Sequence, residues 1–396
     1  MQVPTRPAVA GSGIGAATDW RTALDQALSQ ALEPLGGDPP DLLLLFANAG
    51  FSAHFGQMLQ EAASRSAARE LAGCGASGVI AGDREVEGQP AVAALALRLP
   101  SGSFVSVRRV LPDELAQGDW PARLGLLPGA CTGLIVLADP FSTDVLGLVA
   151  GLERAYPGVP VVGGLASGSS MARHTHVFCG GQVAAQGAVV VGLSGKVALR
   201  PVVSQGCEPI GSPWTITGVE GHVVQTIANR RAYDVLVETI QALSPPERQR
   251  VAGNLLVGLA MNEYRDDFKR GDFLIRNLLG VDPASGAIAV GAEPHVGQTL
   301  QFQVRDARAA DEELRHMLGA VAGDVAQRPA AALLFACNGR GVGLFGQPDH
   351  DARTTRELLG PLPLAGLFCN GEIGPVGAAT YLHGFTASLG LIVSES

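Results

Sequence analysis

The chain has 396 residues, 47% of them hydrophobic, which is enough to bury more than one core, so two domains are expected. Net charge is −9 and the 16% of charged residues are spread thinly, leaving no basic patch for nucleic acid or anionic lipid. No run approaches the ~18 apolar residues a membrane helix needs, and MQVPTRPAVAGSGIG lacks the continuous apolar stretch of an export signal, so a cytoplasmic protein without membrane insertion is expected.

Cys74, Cys131, Cys179, Cys207, Cys337 and Cys369 are scattered with no CxxC pair, as in a reduced compartment. Lys196 and Lys269 are the only lysines against many arginines, a usage that suggests a bacterial source.

In chain order, Thr18 or Asp19 caps a helix with Trp20, Leu24, Ala27, Leu28, Ala31 and Leu32 at helical spacing. Trp20 reads as a core anchor. Residues 41–56, DLLLLFANAGFSAHFG, form a buried strand that turns into a polar loop, followed by a helix at about 57–71, the stretch AGCGASGVI at 72–80, and a strand at 91–99. A second instance starts at GLIVLADPFSTD, where Ser142 or Thr143 caps a helix bearing Val145, Leu148, Val149 and Leu152, and continues through PVVGGLASGSS at 160–170 to a strand at 187–195.

From Arg200 the texture changes, and a domain boundary is placed there: residues 1–200 as one α/β domain and 201–396 as another. This part contains a helix at 231–243, the break Ser244-Pro245-Pro246, a strand in NLLVGLAMNE, a hairpin turn at Pro283-Ala284-Ser285-Gly286, and an alternating strand at 299–304. Leu314, Met317, Leu318 and Val321 then mark another amphipathic helix.

Residues 331–374 give the third instance, ending with a strand at 384–393. One β-loop-α-β-β unit thus occurs three times, with roughly 30 residues from first strand to glycine-rich turn, the length of a βαβ unit. Duplication within an α/β architecture of mixed sheets is the expectation; the alternative is convergence of unrelated segments on the same order.

In this third unit the strand ALLFAC opens into Asn338-Gly339-Arg340-Gly341, and PLAGLF opens into Cys369-Asn370-Gly371-Glu372. A right-handed βαβ crossover brings both strand ends to one sheet edge, so Asn338, Arg340, Asn370 and Glu372 are expected to face one crevice. A ligand with both carboxylate and ammonium groups needs a cation and an acceptor a few ångströms apart. Arg340 and Arg276 are candidates for the first, and Glu372, Asp349 and Asp351 for the second. Alternatively, Arg340 pairs with Asp349 or Asp351 to close its loop, Arg276 joins a structural ion pair, and Asn48, Asn338 and Asn370 merely turn the chain.

Taken together, GCGASGVI, FLIRNLLGVDPASGAIAVG, QTLQFQVRDARAADEEL, LLFACNGRG, LFGQPDHDA and FCNGEIGPVG resemble the FIST-domain family, named for F-box and intracellular signal transduction proteins. The likeness covers an N-terminal half at 41–199 and a C-terminal half at 219–391. It implies a sensory module that binds small ligands, amino acids or their relatives. The two halves use up the chain, so signalling is expected to run through a separate partner protein. The resemblance carries over no catalytic residue and no cofactor.

On that basis the ligand-binding set is Asn338, Arg340, Asp349, Cys369, Asn370, Glu372 and Arg276. The rival reading is an enzyme with Cys369 or Cys337 as nucleophile and Glu372 or His350 as acid/base; a third is a protein-interaction adaptor. His174, His176 and Cys179 form a weak metal-ligand pattern. GGLASGSS offers backbone N–H groups to a phosphate but lacks the Lys-Ser/Thr of a Walker loop, and Ser77 and Ser167 lack the flanking glycines of a nucleophile elbow.

Overall fold

Three strands that are apolar on both faces, Leu42–Asn48, Cys131–Ala138 and Ala331–Cys337, each lie inside a six-stranded sheet. Continuous apolar runs of this kind need cover on both sides, which is what a sheet sandwiched between layers provides. These elements belong to a computed structural model that describes residues 7–114, 118–168, 174–265, 267–323 and 328–394. The class is α/β with mixed sheets, as expected.

Each central strand runs parallel to the strand reached through its crossover helix: Glu70–Ala76 after Phe55–Ser66, Val161–Leu165 after Val145–Ala155, and Leu364–Cys369 after His350–Leu359. On its other side each pairs antiparallel with Ala91–Arg98, Ala188–Ser194 or Ala387–Ser394. The last two places in each sheet are taken by strands from a different repeat. Gly78–Ala81 of the first pairs with Leu364–Cys369 of the third, Val177–Cys179 of the second with Glu70–Ala76 of the first, and Glu372–Val376 of the third with Val161–Leu165 of the second. This cyclic exchange, together with equivalent sheet orders, makes the repeat a structural one.

One core collects the inward faces of all three sheets: Leu42, Leu44 and Phe46, then Ile135 and Leu137, then Leu333 and Phe335. The period of two sends Leu43, Leu45 and Ala47 to the opposite face, against the helices Trp20–Leu32 and Phe55–Ser66. Each such aliphatic side chain, 0% exposed, contributes roughly 1.5–3 kcal/mol by leaving water.

The same close approach recurs in each repeat. A Cβ on Gly73 would lie 1.8 Å from the Leu45 carbonyl oxygen, one on Gly163 would lie 1.9 Å from that of Val136, and one on Gly366 would lie 1.9 Å from that of Leu334. No side chain fits at that place in the second strand. The strand Val9–Ala16 was not foreseen, because VAGSGIGA has too few large apolar residues to read as one. Its glycines have a packing reason: the helix Trp20–Leu32 lies so close that a Cβ on Gly13 would meet the Ala27 carbonyl at 2.2 Å.

Local details agree in part. Asp19 caps the first helix by accepting from the Thr22 N–H, and Trp20 is buried. The second repeat's helix is capped by Asp144, which accepts from the Gly147 N–H; Ser142 instead donates to Asp139.

By internal contacts the chain forms two units: Met1–Val203 with Leu314–Leu382 and Thr386–Ser396, and Ser204–Glu313 with His383–Phe385. The chain leaves the first unit after Val203 and returns to it at Leu314, so the three repeats lie in the first unit. The second unit is a separate antiparallel sheet in the order Cys207–Glu220, Thr299–Arg305, Leu255–Ala260, Phe273–Asp282, Ala287–Val290, Val223–Ile227, and pairing of the first with the last closes it into a ring. Its own core is built around Ile216, Val257, Phe302 and Val304. Among the described residues, no helix is long and apolar enough to cross a membrane.

Candidate functional site at the strand ends

The repeats place equivalent residues at equivalent strand ends. First strands lead to Asn48, Asp139 and Asn338 at or just past their ends; second strands lead into Ser77-Gly78, Ser167-Gly168 and Asn370-Gly371. Because each sheet borrows a strand from another repeat, these ends meet within the first unit. The Ser77 hydroxyl donates to Asn338 Oδ1 at 2.5 Å, Asn338 Nδ2 donates to Asn370 Oδ1 at 2.7 Å, and Asn370 Nδ2 donates to the Ala166 carbonyl at 3.1 Å. The Ser77 N–H donates to Ser167 Oγ at 2.8 Å, whose own hydroxyl reaches the Phe368 carbonyl at 2.5 Å. Asn48 Nδ2 donates to the Ser77 carbonyl at 2.7 Å.

Beside this network opens a crevice of about 320 Å³ bounded by Ser77, Gly78, Glu87, Gly88, Gly168, Asn338 and Phe368. Of these only Glu87 carries a charge. Its Oε1 accepts the Val342 N–H at 2.9 Å, and burial, with the nearby Asp349 and Asp351 carboxylates, raises its pKa above the usual range despite that bond.

Arg340 and Glu372, expected at the mouth, are in the interior at 1% and 0% exposure. The Arg340 guanidinium holds Asp351 through Nε–Oδ2 at 2.6 Å and Nη2–Oδ1 at 2.8 Å, and lies over the Phe345 ring. Burial alone would push Asp351 up, but Arg340, with a hydrogen bond from His350, brings it down to about 2. The pairing alternative for Arg340 is therefore the one observed. Asp349 is likewise occupied: Oδ1 accepts the Glu85 N–H at 2.7 Å and Oδ2 accepts Arg353 at 2.8 Å.

Glu85 returns the contact. Its Oε1 accepts the Ala352 N–H at 2.9 Å, and burial plus the negative Asp351 push it up to about 8. The first repeat's hairpin is thus pinned to the third repeat's helix by two acidic residues, Glu85 and Asp349.

The side chains of Cys337 and Cys369 are register partners facing the core. Cys369 Sγ lies 3.5 Å from Glu372 Oε1, while Glu372 Oε2 accepts the Thr386 N–H at 3.1 Å. Burial pushes Glu372 up to about 8 and the Cys369 thiol far above its usual value. A fully buried, protonated thiol is a weak nucleophile toward any molecule in the crevice. His350 is stacked on Phe345 and bonded to Asp351, so it belongs to the Arg340 cluster.

Arg276 belongs to the second unit, on the strand Phe273–Asp282, with Nη1 donating to the Ile275 carbonyl. Arg276 is not among the residues that bound the crevice. His176 packs edge-on to Phe55 and beside His174, and among the described residues no group of His, Cys, Asp and Glu could hold a metal ion. Residues 169 and 170 of GGLASGSS lie outside the described residues.

Of the expected ligand set, Asn338 lines the opening and Asn370 is bonded to it; Glu87 and the shared role of Ser77 and Ser167 were missed. The signal was present: CGAS77G, GLAS167G and FCN370G occupy one position of the repeat.

Fold and site together define an α/β protein of three concatenated repeats with a polar crevice at their shared strand ends. The chain belongs to the FIST family: it matches the FIST N domain over residues 41–230 and the FIST C domain over 232–375. FIST domains are commonly held to be sensory and signal-transduction domains. The chain is 40% identical over 388 residues to the uncharacterized protein Rv0628c of Mycobacterium tuberculosis, covering 97% of this chain and 99% of that one. It is 39% identical over 391 residues to the uncharacterized protein Mb0898c of Mycobacterium bovis, with the same coverage. Among solved structures it resembles cyanuric acid hydrolase from A. caulinodans at 10% identity and a TM-score of 0.36, covering 98% of this chain and 99% of that one. At that level the likeness says nothing about activity or substrate.

Proposed function

We propose that the crevice beside Ser77 and Asn338 binds a small polar metabolite rich in N–H donors, an amino acid or a relative of one, and that the bound state is read by a separate signalling protein in a bacterial cytoplasm. The observation that carries this is the Ser77–Asn338–Asn370 hydrogen-bond chain at the edge of an opening of about 320 Å³, close to the lower size of small-molecule sites.

The lining sets the ligand's polarity. Glu87 is an acceptor for an ammonium or amide N–H. A ligand carboxylate finds only neutral donors there, because the Arg340 guanidinium is engaged by Asp351. An amine or amide group therefore contributes more to recognition than a carboxylate, at roughly 1.5–3 kcal/mol for a charge-assisted bond out of water.

A thermal-shift screen of amino acids, their amides and amines tests this. One compound is expected to raise the melting midpoint without being consumed, and Asn338→Ala is expected to abolish that rise. Consumption of the compound, or an undiminished rise in Asn338→Ala, would overturn the proposal.

A further inference from the structure

We infer that Cys337 and Cys369 form an oxidisable dithiol site, in which Cys337 is oxidised by a peroxide and Cys369 resolves the product to a disulfide. The inference is independent of any ligand in the crevice.

Placement comes first. The two residues are register partners at the ends of parallel neighbours Ala331–Cys337 and Leu364–Cys369. Their side chains share one face, because Leu333 and Phe335 on one strand and Ala365 and Leu367 on the other enter the same core at the alternate positions before them. Neighbouring strands lie about 4.7–4.9 Å apart, inside the roughly 4.4–6.8 Å Cα window of a disulfide, so the pair meets the Cα requirement for the bond.

The two thiols are unequal. Cys337 is half-buried, within reach of a small oxidant, and its sulfur accepts the Gly339 N–H at 3.5 Å. Cys369 is fully buried, with its thiol donating to the Ala336 carbonyl at 3.3 Å and 3.5 Å from Glu372 Oε1. Glu372 also takes a hydrogen bond from Cys337, so one carboxyl group touches both sulfurs. Its raised pKa keeps a proton there near neutral pH.

The chemistry balances with hydrogen peroxide or an organic hydroperoxide as oxidant. The Cys337 sulfur attacks the O–O bond; sulfur loses two electrons and becomes a sulfenic acid, and the peroxide is reduced to water or an alcohol. Cys369 sulfur then attacks Cys337 sulfur, forming S–S as the S–O bond breaks. Glu372 gives its proton to the departing oxygen, which leaves as water, and receives the Cys369 proton. Thiol reductants reverse the change. The new bond ties together the strand ends that carry Asn338 and Asn370.

The test uses the full chain, reduced, transferred to thiol-free buffer, exposed to hydrogen peroxide near neutral pH, then denatured, alkylated, digested and read by mass spectrometry. The expected product is a peptide joining Cys337 to Cys369, in preference to any linkage of Cys74, Cys131, Cys179 or Cys207. In Cys369→Ser a sulfenic acid persists at Cys337 and is trapped by dimedone. Glu372→Gln slows the linkage at least about tenfold while the sulfenic acid still forms. Full alkylation of both cysteines after peroxide, or passage of Cys337 to sulfinic acid with Cys369 still free, overturns the inference.

Discussion

Arg340 and Asp351 meet through two parallel hydrogen bonds of 2.6 and 2.8 Å with both side chains 1% exposed, so the loop after the strand Ala331–Cys337 is closed by a buried ion pair. Removing one member leaves an uncompensated charge in the interior, which costs about 3–5 kcal/mol. Arg340→Ala and Asp351→Ala are each expected to lower stability by that amount in urea denaturation. Joint replacement by apolar residues of similar volume should recover much of it. An Arg340→Ala protein with unchanged stability and lost ligand binding would return Arg340 to the binding site.

Glu85 and Glu372 are both pushed up to about 8 from an ordinary 4.5, first by burial and, for Glu85, also by Asp351. The folded protein keeps protons there that the unfolded chain releases. Their contribution is therefore complete below about pH 4.5 and falls as pH climbs to about 8, by up to about 1.4 kcal/mol per pH unit for each group. Asp351 acts in the opposite sense: held at about 2 against an ordinary 3.8, its contribution is present above 3.8 and lost as pH falls through 2. The melting temperature should peak near pH 4–5 and decline toward pH 8, and Glu85→Gln or Glu372→Gln should flatten that decline. A profile level between about pH 5 and 8 would contradict these assignments.

Gly73, Gly163 and Gly366 occupy one position of the repeat, each facing a carbonyl oxygen of the neighbouring strand within 1.9 Å of where a Cβ would sit. Alanine at any of them forces the strands apart and is expected to cost about 1–3 kcal/mol or more. Gly129, with nothing within 4 Å, is the control; there alanine should change stability by less than about 0.5 kcal/mol. Chemical denaturation of the four variants checks both the cost and the equivalence of the repeats.

Glu87 is the charged residue lining the crevice, and its Oε1 also accepts the Val342 N–H. Glu87→Gln keeps the shape and removes the charge. Affinity for an ammonium-bearing ligand should fall about tenfold or more, with much less effect on a neutral amide analogue, as read by calorimetric titration. Equal losses for the two would place the ligand's charged group elsewhere.

Much of the architecture was legible because it rests on local signals. Apolar runs such as LLLLFAN and ALLFAC can only be buried strands, and the recurrence of polar loop, helix and glycine-rich turn after them reported the triplicated unit. The strand Val9–Ala16 escaped because its glycines answer to a helix pressed against it, a contact that leaves no mark on hydrophobic periodicity.

The sequence by itself determined the α/β class, the three repeats, the family, and that polar chemistry collects at strand ends. Only the tertiary structure decided which of those polar groups face water. Arg340 turns inward because Asp351, eleven positions on, stands in the first turn of the helix His350–Leu359 with matching geometry. Ser77 joins Asn338, 261 positions away, because a hairpin of the first repeat completes the sheet of the third. Charge and spacing along a chain say what a side chain can bind; which partner is within reach depends on strand exchange between distant segments, and that exists only once the chain is folded.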